Sequence, residues 1–292
     1  MNYSIIKYFI AITFIFISCT ILLSQIRNRD IIGSWELISY IDDDIKTGKW
    51  SSYTPEIIYQ KHITDTHFTW FKYDQKKDEL LGMGGGTYRI DENGKYVEDI
   101  AFFYPPGSSE LGQTIPFDLE IEKGVWYHKG YAKRMTYSEN GEVIIKDSIK
   151  IEEKWSPILP STMNDKDLLG TWNLVSFRNR LDEPYIEYPE FTAYLKLITP
   201  TNFVWIKYDK EDDQIFAAGA GTYNYRKNKY EEILKVTFPV NSIARNKKIL
   251  FVPKITGQKW HHLGRIPGTE NSMSNEGYID EIWMPFKSTA GN

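Results

Sequence analysis

The chain has 292 residues, 41% of them apolar and 15% aromatic, with 35 lysines and arginines against 39 aspartates and glutamates. That length holds two domains, each able to bury its own core, and the aromatic content excludes bulk disorder. A net charge of −4 with no basic block argues against nucleic acid as a partner.

Residues 1–24 read as a signal peptide or N-terminal anchor. Lys7 precedes a mainly apolar run from Tyr8 to Leu23, which gives way at Ser24-Gln25 to the polar Arg27-Asn28-Arg29-Asp30. One positive charge, a short apolar stretch and a small residue before a polar segment are the pattern of an export signal, whereas a membrane span needs about 20 apolar residues. The sole cysteine, Cys19, follows Phe16-Ile17-Ser18, a context for lipid attachment, but Ile21-Leu22-Leu23 keep the segment apolar beyond it. Cleavage near Ser24-Gln25 is therefore the favoured expectation, and either cut leaves the folded part without disulfide chemistry. Cleavage at Ser24 removes Lys7 and no acid, so the charge becomes −5, with 34 bases against 39 acids. The expected destination is the periplasm or the exterior of a bacterial cell, with membrane contact only through an uncleaved signal or a lipidated Cys19.

Beyond this segment the sequence is written twice. Asp30-Ile31-Ile32-Gly33-Ser34-Trp35 returns as Asp167-Leu168-Leu169-Gly170-Thr171-Trp172, offset by 137. Ile63-Thr64, Phe68, Trp70 and Lys72-Tyr73-Asp74 return 135 residues later as Ile198-Thr199, Phe203, Trp205 and Lys207-Tyr208-Asp209. Gly84 and Gly86-Thr87-Tyr88 return as Gly219 and Gly221-Thr222-Tyr223, and Tyr96 and Glu98 return as Tyr230 and Glu232. Trp126, His128 and Gly130 match Trp260, His262 and Gly264; Glu153 and Trp155 match Glu281 and Trp283. Every tryptophan except Trp50 belongs to a matched pair. The repeat divides the chain into units at 28–157 and 164–286, joined by a linker at 158–163 and ending in a tail at 287–292.

Within a unit, short β-branched and aromatic segments alternate with turn chemistry. Asp91-Glu92-Asn93-Gly94 and Ser138-Glu139-Asn140-Gly141 predict hairpins, Glu122-Lys123-Gly124 a third and Asp74–Asp78 a fourth. Gly82-Met83-Gly84-Gly85-Gly86 lacks the Lys-Ser/Thr of a phosphate loop and leads into a strand, so it predicts a bend or a close backbone approach. The pattern is that of an antiparallel barrel or sandwich.

The Gly-x-Trp opening of each unit resembles the start of lipocalins. The later Thr-x-x-x-Phe-x-Trp-x-Lys-Tyr-Asp, Gly-x-Gly-Thr-Tyr and Glu-x-Trp elements resemble exported bacterial lipocalin-like families of unassigned function. The fold expected from this likeness is all-β: two tandem antiparallel lipocalin-like barrels after the signal segment. The resemblance also implies that Trp35 and Trp172 are structural residues closing the barrel floors.

Side chains two apart on a strand share a face. By that parity Trp70 and Lys72, Tyr96 and Glu98, Trp126 and His128, and Glu153 and Trp155 form one surface, mirrored by Trp205, Lys207, Tyr230, Glu232, Trp260, His262, Glu281 and Trp283. Facing inward, they would make an aromatic cavity with a few polar groups, suited to a flat, hydrogen-bonding ligand. The same residues also suit a packed core with a polar rim. Phe71, Tyr73, Ile206 and Tyr208 make the opposite face apolar too, able to line the cavity or to pack barrel on barrel.

Only His128 and His262 recur among the histidines, one per unit, too few for a structural metal site, although one histidine suffices for haem iron. No cofactor motif accompanies them. The leading functional expectation is non-catalytic binding of a small, partly polar molecule. The alternatives are an envelope interaction module with solid barrels, and an isomerase- or hydrolase-type enzyme using Glu98 or Glu153 with His128.

Overall fold

The computed structural model describes residues 28–43, 48–137, 143–239, 242–267 and 277–286. It contains two closed antiparallel barrels in tandem. The first is built from β1 (Gly33–Ile41), β2 (Trp50–Ser51), β3 (Ile57–Ile63), β4 (His67–Asp74), β5 (Glu79–Ile90), β6 (Tyr96–Tyr104), β7 (Thr114–Glu122), β8 (Val125–Tyr137) and β9 (Val143–Pro157). Eight strands pair in chain order and β1 closes the ring on β9, while the two-residue β2 extends the pairing of β1 past the end of β3. The second barrel repeats this with β10 (Gly170–Phe177), β11 (Ile186–Glu187), β12 (Thr192–Ile198), β13 (Asn202–Asp209), β14 (Ile215–Arg226), β15 (Lys229–Phe238), β16 (Lys248–Thr256), β17 (Lys259–Arg265) and β18 (Tyr278–Pro285), closed by β10 on β18.

The turns fall where the sequence places them. Gly94 between β5 and β6 has φ 77°, Lys123 and Gly124 between β7 and β8 have φ 52° and 80°, and Asp78 before β5 has φ 59°. The Ser138–Gly141 turn lies outside the described residues, as do the segment 1–24 and the tail 287–292; β8 and β9 pair on either side of that turn. The glycine run is strand β5, in close approach to its neighbours. A Cβ on Gly84 would lie 3.0 Å from the Trp70 ring, so glycine lets that indole lie flat on the sheet.

A short helix, α1 (Asn28–Ile31), closes one end of the first barrel. The Trp35 indole N–H donates to the Ile31 carbonyl at 2.9 Å, and the ring meets Trp126 edge-on with centroids 5.4 Å apart. Trp172 does the same to Leu168 and Trp260, at 2.9 and 5.3 Å. Both tryptophans therefore sit at the barrel floors.

The second apolar face packs barrel on barrel. Phe71, Tyr73, Met83 and Phe102 of the first barrel form one buried cluster with Leu197, Val204, Ile206, Ala218 and Val236 of the second. The contacts are reciprocal. The Ser34 and Thr199 hydroxyls are hydrogen-bonded at 2.6 Å, and so are those of their repeat counterparts Thr171 and Thr64, also at 2.6 Å. Tyr104 and its counterpart Phe238 meet in a tilted ring contact with centroids 4.5 Å apart. A surface that meets its own copy in this way is isologous, so the two units are related by a pseudo-two-fold axis within one chain.

One departure from that symmetry is His62, which occupies the position of Leu197. Its ring stacks on Phe71 at 5.5 Å, Nδ1 bonds the Ser34 hydroxyl at 2.9 Å, and Nε2 is buried without a partner. Burial pushes this imidazole down to about 3. The folded state thus keeps it neutral while the unfolded chain protonates it below about 6.5, so its contribution is complete above that pH and lost as pH falls toward 3. His62→Leu is expected to move the acid-unfolding midpoint to lower pH, measured by circular dichroism between pH 7 and 3. An unchanged midpoint would contradict this.

Candidate functional site

All sixteen residues singled out by strand parity point into the barrels, but they divide into a sealed centre and a half-open mouth. At the centre of the first barrel stands an ammonium group that parity alone had not supplied. Lys61 on β3 is 2% exposed, and its Nζ donates to Glu98 Oε1 at 2.6 Å. Five rings box it in, with Phe68, Tyr96, Phe117, Trp126 and Trp155 centroids 5.4 to 5.8 Å from Nζ. In the second barrel Lys196 pairs with Glu232, surrounded by Phe203, Tyr230, Phe251, Trp260 and Trp283 at 5.3 to 5.8 Å.

Pairing of β8 with β9 sets His128 opposite Glu153 and Trp126 opposite Trp155; β17 and β18 do the same for His262, Glu281, Trp260 and Trp283. His128 Nδ1 lies 3.0 Å from Glu153 Oε2, which also accepts the Trp155 indole N–H at 3.1 Å. Trp283 donates likewise to Glu281 at 3.0 Å, and His262 Nε2 lies 3.3 Å from the Lys196 ammonium. Phe117 stacks on the His128 ring at 3.8 Å and Phe251 on His262 at 3.7 Å, each made possible by a glycine opposite, Gly130 and Gly264. Burial, reinforced by the lysine charge, holds both imidazoles well below their usual range and neutral. Burial raises the Glu153 and Glu281 carboxyls, opposed by the same lysines. Among the described residues, no three metal-ligating side chains gather in a site.

Lys61 is the partner of a buried carboxylate, so removing it alone strands a charge. Lys61→Met is expected to destabilise the first barrel by about 3–5 kcal/mol. Lys61→Met with Glu98→Gln should recover most of that loss, read from urea unfolding. Equal losses in the single and double variants would show that the pair is not what the lysine supplies.

Away from the floor the lining opens. Tyr40 and Tyr53 stack at 4.5 Å, Tyr59 bridges to Trp70 at 5.6 Å and to Trp155 at 5.2 Å, and Tyr40, Tyr53, Trp70 and Lys72 are only partly buried. The Lys72 ammonium lies 4.0 Å over the Tyr53 ring and donates to its hydroxyl at 2.9 Å. Lys72 is thus a mouth residue rather than a member of the central cluster. Phe177, Tyr188, Tyr194, Trp205 and Lys207 are the equivalent residues at the second mouth, where the ammonium lies differently: Lys207 sits 4.2 Å over Tyr194, the copy of Tyr59, rather than over Tyr188. Desolvation lowers both lysines from their usual range.

One mouth residue has no copy. Glu110 lies on the β6–β7 loop (105–113), where Gly112 N–H bonds the Ile100 carbonyl at 3.0 Å; the matching Asn246 N–H bonds Leu234 at 2.8 Å, which puts Ala244 in the place of Glu110. Burial, then the charges of Glu98 and Glu153, push the Glu110 carboxyl up to about 7. A raised carboxyl binds its proton in the folded state first, so stability from this group falls as pH rises from about 4.5 to about 7. Glu110→Gln is expected to melt higher than wild type above pH 7 and to close that gap toward pH 4.5, by thermal scans. A gap independent of pH would refute the assignment.

No protein-family model matches the chain, and no curated protein matches it. Among solved structures, an uncharacterized protein from Bacteroides eggerthii is 13% identical with a TM-score of 0.28, covering 40% of this chain and 99% of its own. A mutant of the vaccine antigen transferrin-binding protein B from Haemophilus parasuis is 11% identical with a TM-score of 0.23, covering 87% of this chain and 59% of its own. Neither likeness is close enough to carry a functional reading.

Proposed function

We propose that the chain is an exported, non-enzymatic binding protein of lipocalin-like type. Its barrels are solid at the centre, and it takes a small, flat, partly polar ligand at the mouths, on Trp70, Lys72 and Tyr53 and on their copies Trp205, Lys207 and Tyr188. One observation carries this: in both barrels the floor half is sealed by rings around a closed ion pair, whereas the mouth half carries partly exposed aromatic residues and a desolvated ammonium, which lies over Tyr53 in the first barrel and over the buried Tyr194 in the second. Aromatic faces stack on planar groups, and an ammonium stripped of part of its water favours an acceptor from the ligand.

The carboxylate–histidine pair supports catalysis less well. His128 is 1% exposed, stacked under Phe117 and held neutral, so a reacting atom has no approach to it. The lipocalin-like reading rests on the sequence pattern, the floor tryptophans and the closed up-and-down barrels; export rests on the N-terminal segment.

The test is a thermal-shift screen with planar heterocyclic and aromatic metabolites carrying carboxyl or hydroxyl groups. A stabilising compound is expected to lose its effect when Trp70, Lys72, Trp205 and Lys207 are all changed to Ala, and to keep it in Lys61→Met with Glu98→Gln. No shift from the panel, or a shift that survives the four mouth substitutions, would overturn the proposal.

A further inference from the structure

Two clefts flank the pseudo-two-fold pairing, each beside the residue that follows the last strand of one barrel. Ile158 N–H bonds the Ser34 carbonyl at 2.8 Å, and Phe286 N–H bonds the Thr171 carbonyl at 2.8 Å, so Ile158 and Phe286 are equivalent positions. Likewise Asn202 opens β13 where His67 opens β4. In the cleft of about 420 Å³ containing Phe286, that ring meets His67 edge-on at 4.3 Å, and His67 Nδ1 is bonded to the Thr66 hydroxyl at 2.9 Å.

The second cleft, of about 430 Å³, is built differently. Ile158 replaces the phenylalanine, and the linker runs on to wall the groove through Pro160, Ser161 and Asn164. That wall is pinned: Asn164 Nδ2 donates to the Pro200 carbonyl at 3.1 Å, and its Oδ1 accepts the Tyr225 N–H at 2.8 Å. Asn202 is 6% exposed and spends its amide donor on the Gly221 carbonyl at 3.2 Å, leaving Oδ1 buried with no partner. The neighbouring Thr201 hydroxyl is also buried and unpartnered. Buried acceptors of this kind are rare because they forfeit their hydration.

We propose that this linker groove is a second binding site, separate from the barrel mouths, for a neutral saccharide of one or two rings. Its volume lies in the range of small-molecule pockets. Its only charged lining residues, Glu231 and Lys248, neutralise each other at 3.1 Å, which disfavours ionic ligands. Hydroxyl and amide side chains match a polyol's alternating donors and acceptors, with a sugar hydroxyl donating to Asn202 Oδ1. Ile158, Pro160 and Ile233 offer aliphatic surface for the C–H face of a ring.

Saturation-transfer NMR on the full chain with neutral mono- and disaccharides, beside a sugar acid and an amino sugar, tests this. Transfer is expected from at least one neutral saccharide. It should vanish in Ser161→Trp, which fills the groove from an exposed linker position, and weaken about tenfold in Thr201→Val, which removes only an unpartnered hydroxyl. Trp70→Ala with Lys72→Ala should leave it unchanged. No transfer from any neutral saccharide, preference for the charged sugars, or transfer that survives Ser161→Trp would overturn the groove. Loss only in the mouth variant would assign the sugar to the mouth instead. Thermal midpoints confirm that each variant is folded.

Discussion

A lysine ammonium sealed in a ring of aromatic side chains constrains everything around it. Taken out of water, it has to meet a carboxylate, and the carboxylate has to arrive from another strand: Lys61 from β3, Glu98 from β6, Lys196 from β12 and Glu232 from β15. Burying an ion pair adds little net stability, but misplacing one member is costly. Because side chains alternate between faces, a slip of one residue in either strand would turn a charge out of the barrel and an apolar residue in. The pair therefore fixes register across the sheet. The rings of Trp126, Trp155 and Tyr96 fill the volume its geometry leaves.

Solid centres change what the barrels can offer. A hollow barrel presents its inside, whereas a filled one presents its rim and its flanks. Here one flank of each barrel is spent on the other: the Phe71 and Ile206 faces vanish into the contact between units, reinforced by the Ser34–Thr199 and Thr64–Thr171 bonds. What remains for solutes is the rim, with its tyrosines and half-dry lysines, and the clefts along the edges of the barrel pairing.

The strands, the turns and the sets of residues that share a face were legible because a period of two leaves a plain trace and the duplication prints it twice. Lys61 was harder to see. It stands alone on β3 beside His62, and its only signals are its copy Lys196 and its place two residues before the matched Ile63 and Ile198. Tyr53 and Tyr188 sit before strands, outside any alternation, and Glu110 has no copy at all. Which apolar face lay outside could not be read from alternation, since both faces of β4 carry aromatics. Long-range pairing of two barrels decided it, and no local pattern encodes that. The groove beside Asn202 depends on where six linker residues lie, which their composition does not reveal.

In a symmetric homodimer every substitution appears on both sides of the axis, so a change that suits one cleft is imposed on the other. Joining the halves through residues 158–163 removes that coupling. His62 can stand where the other half has Leu197, Glu110 where it has Ala244, and Phe286 where it has Ile158. The linker is thus the element by which two equal halves acquire different surfaces.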